Sequence, residues 1–142
     1  SESTFPYRDA NIYYLWPSKR GNLITYDFAR NALSVMEPNA VILADFNIYE
    51  PLRYLQSVES VRPDVRVKST NDFCYQPVEV IWRDLCHYID DRLGNLQPVY
   101  MAAYESFNFF TIDKDTVPFR SRLDVAYAIQ PVGNIFKIVA KK

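Results

Sequence analysis

Three polar side chains that could bind a ligand follow the most apolar run of the chain. Asp45, Asn47 and Glu50 come after the segment 40–44, which reads "AVILA". Two carboxylates and an amide can hold a divalent cation through oxygen ligands or hydrogen-bond the hydroxyls of a sugar. The same residues also suit a turn and a helix start, where a negative charge is favoured by about 0.3–1 kcal/mol. The sequence favours this structural role and leaves ligand binding open.

Polar and aromatic residues also follow the next two predicted strands. Asn71 comes after the second strand, and Tyr104 and Glu105 come after the third. Since the carboxyl ends of parallel strands meet at one edge of a sheet, we expect these residues to form a polar mouth with aromatic walls. Alternatively, a chain with eleven Tyr and nine Phe places aromatic side chains in many loops. The residues predicted to bind a ligand are Asp45, Asn47, Tyr49, Glu50, Asn71, Tyr104 and Glu105.

Apolar runs of strand length alternate with segments of helical periodicity. Strands are predicted at 40–45, 64–69 and 98–104, and helices at 25–37, 51–60 and 77–93. This alternation is typical of an α/β fold with parallel strands and right-handed crossovers. The last segment, residues 124–140, predicts a hairpin around "PVGN". We therefore expect a single soluble α/β domain over 1–142. It would be a three-layer, Rossmann-like sandwich whose mostly parallel sheet carries a C-terminal antiparallel hairpin at one edge.

Local signals predict where the helices begin and end. Thr25 is the expected N-cap of the first helix, and Pro51 suits the first turn of the second. Gly94 is expected in the left-handed conformation that ends the third helix. Before the first helix, the aromatic segment 11–22 predicts a short strand or a packed arm, with a turn at Pro17 and Gly21.

The composition argues against several classes of function. The net charge is −1, with 16 basic and 17 acidic residues, and no long basic cluster points to a nucleic acid partner. Only three glycines are present, and the glycine-rich motifs that bind phosphates or carry a serine nucleophile do not occur. No run of apolar residues is long enough to span a membrane. We predict no cofactor.

The cysteines and the single histidine predict no metal site. Cys74, Cys86 and His87 are too few for a structural zinc site, which needs four ligands. Neighbours on a helix point apart, which disfavours a nucleophilic pair of Cys86 and His87. Two free thiols are favoured, and a disulfide remains open.

The order of several segments resembles a protein family. "YDFARNALSVMEPNAVILAD" (26–45), followed by "PLRYLQSVESVRPDVRV" (51–67), resembles the soluble part of multi-spanning membrane proteins similar to protein O-mannosyltransferases. "YAIQPVGNIFKIV" (127–139) also resembles the closing segment of that family. The loop "ADFNIYEP" departs from the family pattern, because it lacks a glycine and is about one residue longer. Any role that this loop has in the family is therefore not carried over.

The resemblance implies an accessory role. It predicts that residues 1–142 are a fragment of a longer membrane protein and lie at the extracytoplasmic face of the membrane. The missing initial Met fits a fragment, although a processed terminus would look the same. The transmembrane part of the same parent chain is the expected partner, with a glycan or an acceptor protein as a further one. The glycosyl-transfer chemistry of the family is expected in the membrane part, so no catalytic residue is predicted here.

Two other interpretations of the sequence remain. One is a small stand-alone α/β enzyme, or a metal- or sugar-binding module, that uses Asp45 and Glu50. The other is a structural interaction module without a ligand of its own. Apolar helices encoded upstream of Ser1 would distinguish the accessory domain from both.

Overall fold

The computed structural model describes residues 16–142, with side chains from residue 25 onward. The four helices of this part are α1 Trp16–Val35, α2 Phe46–Glu59, α3 Val78–Gly94 and α4 Arg120–Ala126. The strands are β1 Val41–Ala44, β2 Arg66–Ser69, β3 Val99–Met101, β4 Asn108–Phe110, β5 Thr116–Pro118, β6 Tyr127–Val132 and β7 Ile135–Ala140. Two short 3-10 helices span Thr70–Phe73 and Tyr104–Phe107.

The main sheet has five strands in the order β2-β1-β3-β7-β6. β1 pairs in parallel with both β2 and β3, whereas β7 pairs antiparallel with β3 and with β6. β4 and β5 form a separate antiparallel pair. The predicted α/β class is confirmed, with a mixed sheet whose three strands β2, β1 and β3 are parallel.

Helices cover both faces of β1, and this explains its unbroken apolar sequence. Val41 and Leu43 belong to one buried cluster, which includes residues of α3, while Ile42 and Ala44 belong to a second, which includes residues of α1 and α2. All four side chains are fully buried. A strand buried on both faces has no need for alternating polar residues.

The face of α3 that packs on the sheet was predicted correctly. Ile81, Leu85 and Ile89 recur every four residues and are fully buried. The left-handed conformation predicted for Gly94 was wrong, because Gly94 is still helical and Leu96 takes that conformation with φ of 61°. Because the helix includes Gly94, the residue in the left-handed conformation lies two positions further along the chain, at Leu96.

The predicted start of the first helix was also wrong. α1 begins at Trp16, and Thr25 lies inside it. Pro17 then occupies the first turn, where its missing N–H is not needed. The expectations of a strand and of a turn at Pro17 and Gly21 are therefore wrong for residues 16–22, and residues 11–15 lie outside the described part.

A tight turn joins β6 to β7 and contacts the first helix. Gly133 has φ of 58°, a conformation that favours glycine. The side-chain amide of Asn134 donates a 3.0 Å hydrogen bond to the carbonyl oxygen of Phe28. The turn therefore ties the antiparallel edge of the sheet to α1.

Candidate functional site

The carboxyl ends of the three parallel strands lie at one edge of the sheet. Ala44 is opposite Ser69, and Leu43 is opposite Met101. The hydroxyl of Thr70 donates a 3.4 Å hydrogen bond to the carbonyl oxygen of Ala44, so the chain leaving β2 also contacts the end of β1. This edge is where open α/β sheets bind ligands.

Asp45 is the N-cap of α2. Its Oδ1 accepts hydrogen bonds from the backbone N–H groups of Asn47 at 3.1 Å and Ile48 at 3.3 Å. The helix therefore begins at Phe46, and the predicted loop, with a helix starting at Pro51, was wrong. Pro51 lies inside the helix, so the N-cap at Asp45, and not the proline, marks where the helix begins.

The next three predicted residues lie at the start of α2. Asn47 and Glu50 are exposed, whereas Tyr49 is half-buried and packs against the cluster that includes residues of α1 and α2. Tyr49 and Glu50 line an open surface depression of about 440 Å³. Its other lining residues, all from α2, are Arg53, Tyr54, Ser57 and Val58.

Asn71 contributes its backbone to the turn after β2. Its N–H donates a 3.2 Å hydrogen bond to the hydroxyl oxygen of Ser69, and its carbonyl oxygen accepts from the N–H of Cys74 at 3.1 Å. The side chain of Asn71 is exposed. Ser69 therefore caps the 3-10 helix in the same way as Asp45 caps α2.

Tyr104 packs on the other face of the sheet. It contacts the cluster that includes residues of α3, and its ring centroid lies 5.0 Å from that of Phe136. The guanidinium of Arg120 lies 4.2 Å from the centre of the Tyr104 ring, and the Tyr104 hydroxyl donates a 3.3 Å hydrogen bond to Asp124. Burial and the nearby Asp124 carboxylate raise the pKa of Tyr104. The adjacent Glu105 is exposed.

The predicted residues are therefore divided between different surfaces. Tyr49 and Tyr104, the two expected aromatic walls of one mouth, pack against different core clusters on opposite faces of the sheet. Of these residues, Tyr49 and Glu50 line a common depression in the described part of the chain. Ligand binding by any of the predicted residues stays a prediction.

The environments of Cys74, Cys86 and His87 disfavour a nucleophilic thiol. Cys74 and Cys86 are free and half-buried, and His87 is exposed. Burial raises the pKa of the Cys86 thiol, which disfavours the nucleophilic thiolate. Within the described residues, no group of three or more His, Cys, Asp or Glu side chains is placed to hold a metal ion.

A groove that the sequence did not predict lies between α3 and α4. It is an open depression of about 440 Å³, called the Trp82 groove below. It is lined by Trp82, Ser121, Arg122, Val125 and Ala126. The only sequence signal was the amphipathic pattern of α3, because α4 spans seven residues and lies where no periodicity was evident.

From residue 16 to residue 142, no helix combines the length and the apolar character needed to cross a membrane. Comparison of the chain with protein-family models, curated proteins and solved structures gave no match.

Proposed function

We propose that this chain is a non-catalytic accessory domain of a membrane protein similar to protein O-mannosyltransferases. It lies at the extracytoplasmic face and positions an acceptor, a sugar or a partner chain next to the transmembrane part of its parent. The family assignment rests on the resemblance of segments 26–45 and 51–67. The non-catalytic role rests on the geometry of Asp45.

One oxygen of the Asp45 carboxylate is engaged in holding α2. Its Oδ1 accepts two backbone hydrogen bonds at the sheet edge where a catalytic acid would be expected. Binding a metal or a substrate through this oxygen would weaken the cap, and removal of such a cap costs about 0.5–2 kcal/mol. Ser69 caps the neighbouring 3-10 helix in the same way. This use of polar side chains supports a scaffold rather than an active site.

The proposal includes a three-layer, Rossmann-like arrangement with a C-terminal antiparallel hairpin. Two buried clusters, which contain alternate residues of β1, support the layers. The antiparallel register of β6 with β7 supports the hairpin. An accessory domain of this kind presents its helices and loops as binding surfaces on a rigid sheet.

A second candidate function is sugar binding on α2, supported by one observation. The depression lined by Tyr49 and Glu50 also contains Tyr54 and Arg53. Tyrosine rings offer apolar faces to a sugar, while the carboxylate and the guanidinium offer hydrogen bonds to its hydroxyls. Because the depression is open, each such bond contributes only about 0.5–1.5 kcal/mol, so weak binding is expected.

Two experiments test the accessory role. The full-length gene should encode several apolar transmembrane segments before Ser1, and a complete reading frame of about 142 residues would overturn the proposal. The isolated chain should show no transfer from a lipid-linked mannose donor to an acceptor peptide. Measurable turnover by the chain alone would overturn the non-catalytic role.

NMR titration tests the second candidate. Wild type, Glu50→Gln and the matched control Glu59→Gln, at the other end of the same helix, are titrated with mannose and separately with calcium. Weak mannose binding that is lost in Glu50→Gln and kept in Glu59→Gln would support sugar binding on α2. Equal shifts in all three proteins, or none, would reject it. Calcium binding in the micromolar range that Glu50→Gln abolishes would instead favour a metal-binding module.

A further inference from the structure

The Trp82 groove is an open depression with a mostly apolar lining. Its volume of about 440 Å³ lies within the range of ligand pockets, roughly 300–1,000 Å³. Trp82, Val125 and Ala126 form an apolar wall, and Val125 is 75% exposed. A ligand that covers this wall would remove apolar surface from water.

Arg122 places a positive charge beside this apolar wall. Its guanidinium lies 5.8 Å from the centre of the Trp82 ring and 5.4 Å from that of Phe119. It pairs with Oε2 of Glu79 at 2.7 Å, but Glu79 is 74% exposed. Exposed ion pairs contribute little to stability, so a ligand carboxylate can replace Glu79. The planar guanidinium suits a carboxylate, which it can bind through two parallel hydrogen bonds.

A second cation lies at the end of α4. Lys141 Nζ donates 3.0 Å hydrogen bonds to the carbonyl oxygens of Asp124 and Val125. The Asp124 carboxylate accepts a hydrogen bond from Tyr104 and lines the adjoining depression with Pro118, Arg120 and Ser121. Lys141 is not among the residues that line the groove, so Arg122 is the cation of its lining, and Glu79 is the acidic group paired with it.

We propose that the Trp82 groove binds the anion of a medium-chain aliphatic carboxylic acid. The aliphatic chain covers Trp82 and Val125, and the carboxylate takes the place of Glu79 on Arg122. This site is distinct from the accessory role proposed above and does not depend on it.

The test is NMR titration of the ¹⁵N-labelled chain with octanoate, and with octylammonium as the ligand of equal length and opposite charge. Octanoate should shift the NMR resonances of the Trp82 indole N–H and of the backbone amides of α4. It should also bind at least about tenfold more tightly than octylammonium, as expected for a charge-assisted hydrogen bond. Equal affinities, or shifts confined to other parts of the chain, would overturn the proposal.

Three variants locate the contacts. Val125→Glu adds a carboxylate to the wall and should weaken octanoate binding by about tenfold or more, and the exposure of Val125 makes this change compatible with folding. Glu79→Gln removes the competing carboxylate and should tighten binding. Arg83→Gln, an exposed arginine of the same helix that pairs with Asp84 and does not line the groove, should leave the affinity unchanged. Unchanged affinity in Val125→Glu, or weaker binding in Glu79→Gln, would contradict the proposed geometry.

Discussion

The hydroxyl of Tyr100 donates a 2.7 Å hydrogen bond to Oε1 of Glu37, which lies 63 residues earlier in the chain. The Tyr100 ring is buried under the sheet face that α1 and α2 cover, and Glu37 follows the end of α1. The same carboxylate oxygen lies 2.6 Å from Lys137 Nζ on β7. A single carboxylate therefore joins the end of α1 to β3 and β7.

Replacing Tyr100 with Phe should lower the free energy of unfolding by about 0.5–1.5 kcal/mol. The loss is modest because Glu37 keeps Lys137 and is 49% exposed, so water can replace the hydroxyl. Urea unfolding at neutral pH measures the change. Burial and the hydrogen bond to Glu37 raise the pKa of Tyr100 to about 12, against about 10 in the unfolded chain.

This shift adds a pH dependence whose sign is fixed. A tyrosine whose pKa is raised by folding contributes stability that is complete below the unfolded pKa and is lost as the pH rises through the folded value. The stability difference between wild type and Tyr100→Phe should therefore shrink between about pH 10 and pH 12. A difference that stays constant over this interval would contradict the raised pKa of Tyr100.

Arg62 should be the most sensitive surface residue near the end of α1. Its guanidinium donates to the carbonyl oxygens of Leu33 at 2.6 Å, Met36 at 2.8 Å and Glu37 at 3.1 Å, and it pairs with Asp64. Leu33 lies in the last turn of α1, where carbonyl oxygens lack partners within the helix, and Met36 and Glu37 follow the end of α1. Because hydrogen bonds to charged groups contribute about 1.5–3 kcal/mol, Arg62→Ala should destabilise the chain by at least that amount in urea unfolding.

Arg53→Ala is the matched control for Arg62→Ala. Arg53 is exposed and donates only one hydrogen bond that the structure records, to Gln56 at 3.3 Å. Its removal should change stability by no more than about 0.5 kcal/mol. Equal effects of the two variants would show that the contacts of Arg62 with α1 contribute nothing.

Asp64→Asn should make the free energy of unfolding less dependent on pH in the acidic range. The Arg62 guanidinium, followed by the backbone N–H of Asn39, holds the pKa of Asp64 well below its usual range. A lowered carboxyl pKa contributes stability above the unfolded pKa, near 3.9, and that stability is lost as the pH falls through the folded value. The variant should be less stable than wild type at neutral pH, and the difference should narrow below about pH 4. A difference that widens in acid would contradict this pairing.

The buried face of α3 can be tested against its exposed face. Leu85→Ala or Ile89→Ala should cost roughly 2–5 kcal/mol, because both side chains are fully buried. His87→Ala, on the exposed face of the same helix, should change stability by less than about 0.5 kcal/mol. Thermal and urea unfolding of the three variants measure this contrast, and similar values would show that the helix face is wrongly assigned.

Elements with a strong local signal were predictable from the sequence. β1 has four consecutive apolar residues, and the apolar residues of α3 recur at helical spacing, so burial alone favours these structures. β4 and β5 span only three residues each and were not predicted. The N–H of Tyr75 donates a 2.6 Å hydrogen bond to the carbonyl oxygen of Phe110, a long-range contact that holds β4 and that local periodicity does not reveal.

The candidate site was less predictable because its residues also serve the fold. The sequence placed Asp45 correctly at the end of a strand, but Pro51 gave a competing signal for the helix start. Tyr104 contacts Arg120 and Phe136, which are distant in sequence. Local sequence patterns therefore could not predict that Tyr104 packs on the sheet face that α3 covers. The Trp82 groove likewise requires two helices that are far apart in the chain.

Two substitutions at Asp45 separate its capping role from a ligand-binding role. Asp45→Ala removes the acceptor of both N–H groups and should destabilise the chain by about 0.5–2 kcal/mol. Asp45→Asn keeps an acceptor oxygen and loses only the favourable charge at the helix start, about 0.3–1 kcal/mol when exposed. Urea unfolding should therefore rank wild type above Asp45→Asn, and Asp45→Ala last. Equal losses in the two variants would mean that the charge, and not the cap, is what matters.

Calcium provides the complementary measurement on the same variants. A cation that binds the folded chain through the Asp45 carboxylate would raise the melting temperature of wild type by mass action and would have less effect on Asp45→Asn. Because the structure engages Oδ1 of Asp45 in two backbone hydrogen bonds, we expect calcium to leave the melting temperatures of both proteins unchanged. A rise in wild type that Asp45→Asn abolishes would identify Asp45 as a metal ligand and would contradict its assignment as a cap alone.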